Sequence, residues 1–387
     1  MKLKYLFKQL VFGCLLALVL SNCKNSFDPI LKQTDLNSLV VEGYIDGAAP
    51  AAFKISRTRM LTVGDTAARR YELNAIVSIE DDQQNSYPLT ETGGGSYSSI
   101  SIINLPTAAK YRLHIFTSDN REYLSDLVAF KQSPVIDTIG WEIKDGGVQI
   151  SLNTHDANND TRYYRWEYSE TWEFHSRYSS SWKAIITYNP DRATMLPRTE
   201  DVYTCWQTNN STNILLGSSA KLTNDVISEA PIIYVQNHDK KISVLYSIWV
   251  KQYAFDVDGY NYYTAIRNNT ERVGSIFDPQ PNQTAGNIHC ITNPDEKVIG
   301  YVAAGNSFEK RIFISNSSLP RTWNIFPDCP LIEVPNIRDS LIFYFDGGWD
   351  PIDKMLTPTN ETVYSASYKD CVDCTLTGTN VKPSFWP

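Results

Sequence analysis

The chain has 387 residues, 42% hydrophobic and 12% aromatic, with 35 basic side chains against 43 acidic and a formal net charge of −8. That hydrophobic content excludes a disordered chain, and the acidic balance excludes nucleic acid and anionic membrane surfaces as electrostatic partners. The length exceeds what one hydrophobic core accommodates, so two domains are expected.

Lys2, Lys4 and Lys8 open the chain with no acid among the first 22 residues, and an apolar run of 11 residues follows from Leu10 to Leu20. Such a run is too short to cross a bilayer, which takes about 20 apolar residues in a helix, so it reads as an export signal. It ends on Leu20-Ser21-Asn22-Cys23, which resembles a bacterial lipobox. In that reading residues 1–22 are removed as a lipoprotein signal peptide, Cys23 carries the lipid, and residues 23–34 form a lipidated linker. The alternative is a plain secreted protein with an unmodified Cys23. Burial of acyl chains is worth roughly 0.8 kcal/mol per methylene, and two or more chains hold a protein stably. Loss of three lysines with the signal leaves 32 basic against 43 acidic residues, a mature charge of −11.

From there the pattern is mainly β. LVVEGYI at 39–45, NAIVSIED at 74–81 and YRLHIF at 111–116 are short β-rich runs bounded by turns. In the last, Tyr111, Leu113 and Ile115 alternate with Arg112 and His114, the period of a strand with one buried face; His114 is expected to face solvent. TGGGSYSS at 92–99 predicts a hairpin turn whose glycines permit positive φ. Strand signals at this spacing predict an immunoglobulin-like β-sandwich over residues 35–132.

Pro134 in SPVIDTIGW predicts the boundary to a second, larger β-rich domain over 133–387. Its strands are expected at 148–152, where Val148, Ile150 and Leu152 alternate with polar residues, at 164–168, and at 243–255 and 310–315. A helical insertion is predicted over about 256–272, with Val257, Tyr260, Tyr263, Thr264 and Ile266 near helical spacing and Asp256 or Asp258 as its cap.

The lipobox, LVVEGYI, SPVIDTI, RYYRWEY, DVYTCW, GSIFDPQPNQTAGNI, GYVAAGNSFEKRIFI and CVDCTLTGTNVKPSFWP, in this order, resemble the lipoproteins called domain of unknown function 4249. The resemblance implies an outer-membrane lipoprotein of the Bacteroidota, anchored to the membrane by its N-terminal lipid and of a kind often encoded beside a TonB-dependent outer-membrane transporter, which is the candidate partner. It implies no catalytic residue and no cofactor. Lys24, Asn25, Ser26 and Phe27 precede a single Asp28 where surface-exported lipoproteins of that group carry an acidic cluster, so both the periplasmic and the cell-surface face stay open.

Without Cys14 and Cys23, five cysteines remain: Cys205, Cys290, Cys329, Cys371 and Cys374. In an oxidising compartment an odd number allows two disulfides and one free thiol. Cys205, Cys329, Cys371 and Cys374 are the candidates for pairing, with their partners open. A redox reading of Cys371-Val372-Asp373-Cys374 fails for want of a following helix, since Gly378 and Pro383 interrupt it. A zinc reading would recruit Cys205, Cys329, or His289 with Cys290.

Asp156, Asn158 and Asp160 have the D-x-N-x-D spacing of a calcium loop, with Glu167 at the twelfth position. Thr161 stands where such a loop wants glycine, so an Asx-rich interstrand turn is the competing reading. Trp349 between Asp346 and Asp350 is either a sugar-stacking platform or part of a Gly-Gly turn. The nucleophile-elbow, zincin, P-loop and dinucleotide motifs are absent, and the chain is not expected to be an enzyme. The function expected is a lipid-anchored accessory or ligand-binding partner of a transporter. A structural or adhesive surface lipoprotein is the alternative, and a hydrolase built from spatially assembled carboxylates a weaker one.

Overall fold

The computed structural model describes residues 37–59, 70–271, 286–323 and 328–387. The expected signal peptide, Cys23 and the linker at 23–34 lie outside the described residues.

The first unit opens with β1 (Leu39–Asp46), β2 (Ala52–Arg57), β3 (Arg70–Tyr71), β4 (Ile76–Asp81), β5 (Ser86–Gly93), β6 (Ser96–Ser98), β7 (Lys110–Phe116), β8 (Glu122–Ser125) and β9 (Val128–Gln132). The alternation seen in the sequence is the physical cause. Leu39, Val41, Phe53, Ile55, Val77, Ile79, Leu113 and Ile115 point into one core, and the polar residues between them face out. Gly43 is required where β1 and β2 meet, because a Cβ there would lie 2.3 Å from the Phe53 ring. The predicted hairpin turn joins β5 to β6, with Gly93, Gly94 and Gly95 all at positive φ.

The second unit contributes β10 (Ile136–Lys144), β11 (Gly147–Asp156), β12 (Tyr163–His175), β13 (Trp182–Tyr188), β14 (Asp191–Pro197), β15 (Thr204–Asn210), β16 (Leu215–Ser218), β17 (Asp225–Gln236) and β18 (Leu245–Phe255). Helix α1 (Val257–Glu271) follows, matching the insertion predicted, and then β19 (Ile288–Cys290), β20 (Ala304–Asn306) and β21 (Phe308–Ser315). The sheet β10-β11-β17 packs on the sheet β15-β12-β18-β21, to which β16 is joined through β12. Their shared core is built from Ile139, Val148, Ile150 and Leu152 on one side and Tyr164, Trp166, Trp172 and Val250 on the other.

Two expectations about organisation need correcting. Residues 286–306 fall in the range assigned to the second domain, yet β19 pairs with β8, and β20 lies parallel to both β1 and β9. With β20 in place, the pairings run β7-β4-β5-β6-β2-β1-β20-β9 and return to β7, so the first unit is a closed ring. An immunoglobulin-like pair of separate sheets is therefore not what the pairings of the N-terminal unit give. The physical reason is that β20 supplies the closing strand from far along the chain, where local alternation carries no information about it.

A third unit holds β22 (Ile332–Pro335), α2 (Arg338–Asp346), β23 (Trp349–Leu356), β24 (Thr362–Tyr368) and α3 (Lys369–Val372). The order β22-β24-β23 makes its sheet, and the β13–β14 hairpin, inserted between two strands of the sandwich, shares its core through Trp182, Ala184 and Ile186. Trp349 belongs to this packing: its ring lies 4.4 Å from Tyr368 and 6.1 Å from Tyr344, beside the Gly347-Gly348 turn. It is half-buried and packs against the core of this unit.

The C-terminal tail is held on the sandwich. Cys374 is bonded to Cys205 and Cys371 to Cys329. Beyond them Thr379 exchanges backbone hydrogen bonds with Trp206, the Trp386 indole donates to Glu173 Oε2 at 2.8 Å, and the Phe385 ring lies 3.7 Å from the Arg311 guanidinium.

Candidate functional site

Helix α1 lies across the junction of the barrel and the sandwich. Asp256 starts it: its Oδ1 accepts from the Gly259 N–H at 2.8 Å, satisfying one of the unpaired donors of the first turn, and also from the Tyr301 hydroxyl at 2.8 Å. Gly259 is needed because a Cβ would come within 2.7 Å of Phe255 and 2.8 Å of Tyr301.

Around the helix an aromatic cluster joins four segments of the chain. Tyr44 comes from β1, Tyr253 and Phe255 from β18, Tyr262 from α1 and Tyr301 from the returning segment. The Tyr44 ring lies tilted against Tyr253 at 4.9 Å, and its hydroxyl donates to the Ala254 carbonyl at 3.2 Å. Burial pushes the Tyr44, Tyr253, Tyr262 and Tyr301 hydroxyls well above their ordinary value, so all stay neutral donors. Arg165 is enclosed here, its guanidinium 4.4 Å from the Tyr263 ring and 5.9 Å from Tyr253, and paired with Glu167. A desolvated cation over aromatic faces holds α1 to the sheet.

Each end of α1 opens on a cleft. At its C-terminal end a cleft of about 530 Å³ has an apolar wall of Trp166, Leu215, Ile227 and Pro231 facing Arg267 and Glu271. Glu271 accepts from the Ile214 N–H at 2.7 Å, whereas Arg267 Nε is buried without a hydrogen-bond partner. Gly217 makes room, since a Cβ there would meet the Trp166 ring at 2.2 Å. At its N-terminal end a cleft of about 680 Å³ is more polar, with Lys110, Asp126, Asp256, Asp258, Asn261 and Tyr262 in its walls. The first cleft sets an apolar wall against one cation and one carboxylate, and the second sets Lys110 among Asp126, Asp256 and Asp258.

The residues singled out in the sequence fall as follows. All four candidate cysteines are paired, Cys205 with Cys374 and Cys329 with Cys371, which removes the zinc reading; Cys290 is free and buried. Asp156 does not collect a calcium set with Asn158 and Asp160. Its Oδ1 accepts from the Asn158 N–H and its Oδ2 from the Asp160 and Thr161 N–H groups at 2.9 and 3.0 Å, so the loop is an Asx turn. Among the described residues no group of three or more His, Cys, Asp or Glu side chains is arranged to hold a metal ion. Glu167, at the twelfth position, turns to Arg165 and to the Tyr253 hydroxyl instead. His114 lies on the outer face of β7, bonded to Glu80 at 2.7 Å.

The sequence reading did not find the junction itself. RYYRWEY and the helix at 256–272 were both visible, but nothing local says that Arg165 from one meets Tyr263 from the other. The buried charges of the barrel were missed for the same reason: Arg57 pairs with Glu72 at 2.6 Å and with Glu296 at 3.2 Å, across 239 positions of sequence.

A search of curated proteins finds no match. A family model described as Domain of unknown function (DUF4249) matches residues 24–311, covering the barrel, the sandwich and α1 and ending within β21. The third unit and the disulfide-bonded tail lie beyond the matched residues. With about three quarters of its length matched, the chain belongs to the DUF4249 family.

Proposed function

We propose that this protein is a lipid-anchored component of the cell envelope that binds a ligand on behalf of a TonB-dependent outer-membrane transporter. The envelope half of this reading is supported by the export signal ending at Cys23 and by the two disulfides, which form and persist in oxidising compartments.

The observation that carries the binding half is the placement of α1, which spans the junction of two β units with a cleft at each end. Sites between units, with apolar walls and a few placed polar groups, are where ligands are held. The cleft at Lys110 lies between the barrel and α1, the cleft at Arg267 is walled by the sandwich and α1, and the Tyr and Trp content of the junction supplies the side chains that dominate binding hot spots. The transporter as partner extends the family resemblance.

Cross-linking of native membranes followed by purification of the lipoprotein in mild detergent tests the reading. Recovery of a TonB-dependent transporter with it is the expected result. Recovery of the lipoprotein alone, from membranes in which cross-linking succeeded, would leave the adhesive reading in its place.

A further inference from the structure

The barrel of the first unit has two ends, and they differ. β1 begins with Leu39 opposite Arg57. Following the antiparallel pairings round the ring brings Gly93, Ile76, Phe116, Glu122 and Cys290 to that same end. Arg57 fastens it, donating to the Asn37 carbonyl and to the Tyr123 hydroxyl, each at 3.2 Å. At the opposite end β1 reaches Asp46, which accepts from the Ser307 hydroxyl at 2.5 Å and pairs with Lys251 of the sandwich at 3.0 Å. That end is occupied by the second unit. Among the described residues, no strand or helix of the second unit covers the end at which the chain enters.

Its outer rim carries several exposed apolar residues beside the polar turns at 117–121 and 292–296. Ile76 stands opposite Phe116 and Phe116 opposite Glu122. The Ile291 N–H, directly after β19, donates to the Glu122 carbonyl at 2.8 Å. This row crosses four adjacent strands, about 4.8 Å apart. Ile76 is 72% exposed, Ile291 48% and Phe116 37%, and Leu73, just before β4, is 45% exposed. The next row along the same strands is Ser78, His114, Leu124 and His289, so the apolar character is concentrated at the rim. Single exposed apolar residues need no explanation, but several close together, here interrupted by Glu122, mark a contact surface.

We infer that this collar of Leu73, Ile76, Phe116 and Ile291 rests against the lipid bilayer that holds the acyl chains on Cys23. The inference rests on the lipid-anchor reading, and the position of the collar gives it its occupant. Residues 23–36 connect the lipid to Asn37, and at no more than about 3.6 Å per residue they keep this end within about 50 Å of the bilayer. Aliphatic and aromatic side chains carried on a polar surface settle at the headgroup boundary. The molecule then stands on its barrel, with the sandwich directed away from the membrane.

Fluorescence quenching by brominated lipid tests this on the full-length, natively lipidated chain in vesicles of phosphatidylethanolamine and phosphatidylglycerol. An environment-sensitive fluorophore is attached at Ile76→Cys and, in a separate variant, at Phe343→Cys on α2; the native Cys290 thiol is buried. Vesicle flotation is scored in the same samples. Flotation with at least twofold quenching at position 76 and none at position 343 is the expected result. Flotation with equal or no quenching at 76 overturns the inference and leaves the anchor reading standing. Shielding of position 76 from an aqueous quencher without quenching by bromolipid assigns the collar to a second copy of this chain and also overturns it. Failure to float overturns the anchor reading and the inference with it.

Discussion

Asp46 of the barrel and Lys251 of the sandwich form a 3.0 Å ion pair with both side chains largely buried. The same carboxylate accepts from the Ser307 N–H and hydroxyl, at the point where the chain passes from β20 into β21. It therefore ties β1, β18 and the crossing between the units at one place. Removing one member of a buried, hydrogen-bonded charge pair costs about 3–5 kcal/mol, because the other is left uncompensated. Asp46→Ala is expected to lose stability on that scale and to split a single urea unfolding transition, followed by tryptophan fluorescence, into two.

Gln252 makes a similar tie without charge. It is fully buried, accepts from the Trp166 indole at 2.8 Å, and donates to the Pro134 carbonyl at 2.8 Å and the Thr154 hydroxyl at 3.1 Å. Gln252→Leu fills the volume but orphans these groups, at about 1–3 kcal/mol for each that stays unsatisfied. Thermal unfolding should show the loss, with Gln252→Glu no better because it cannot donate to the Pro134 carbonyl when ionised.

The two disulfides should contribute unequally. The Cys205–Cys374 bond spans 169 positions and Cys329–Cys371 spans 42, and in the chain-entropy account the longer loop stabilises more, within a typical range of about 2–4 kcal/mol. The paired variant Cys205→Ser with Cys374→Ser is expected to unfold at lower denaturant than Cys329→Ser with Cys371→Ser. Non-reducing peptide mapping should find only these two links, with Cys290 unreactive until the chain is unfolded.

Burial lifts the Asp350 carboxyl to about 6 from an ordinary value of 3.8, with Arg198 pulling in the other direction from 2.6 Å away. Between about 4 and 6 the folded chain therefore holds a proton that the unfolded chain has released, so this group's contribution to stability falls as pH rises through that window. Measured as melting temperature, wild type minus Asp350→Asn is expected to decline from pH 4 to 6 and to level off above it. A difference that increases over the same interval would mean that the pairing with Arg198 outweighs the cost of burial.

What could be read from the sequence was whatever one segment decides for itself. LVVEGYI, YRLHIF and the run at 164–168 alternate because each buries one face, and Asp256 marks the start of α1 because a cap is a local device. What could not be read depends on partners distant in the chain. The closing strand β20 is three residues, Ala304–Asn306, whose strand character comes from β1 and β9 on either side. Helix α2 was hidden for another reason. Its buried residues are Leu341 and Phe345, and the aromatic run around them reads equally as strand. The cysteines showed both limits: which four would pair was legible, but not which with which. At the candidate site, the helix and the strand of Arg165 were each visible and their meeting was not.

The central claim is that Cys23 bears a lipid that tethers this body to a membrane outside the cytoplasm. Intact mass spectrometry of natively expressed protein, with fragmentation of its N-terminal peptide, tests it most directly. The account predicts a chain beginning at Cys23 with a diacylglyceryl thioether and an acylated amine. A free thiol at that position, or a chain that still begins at Met1, would contradict it.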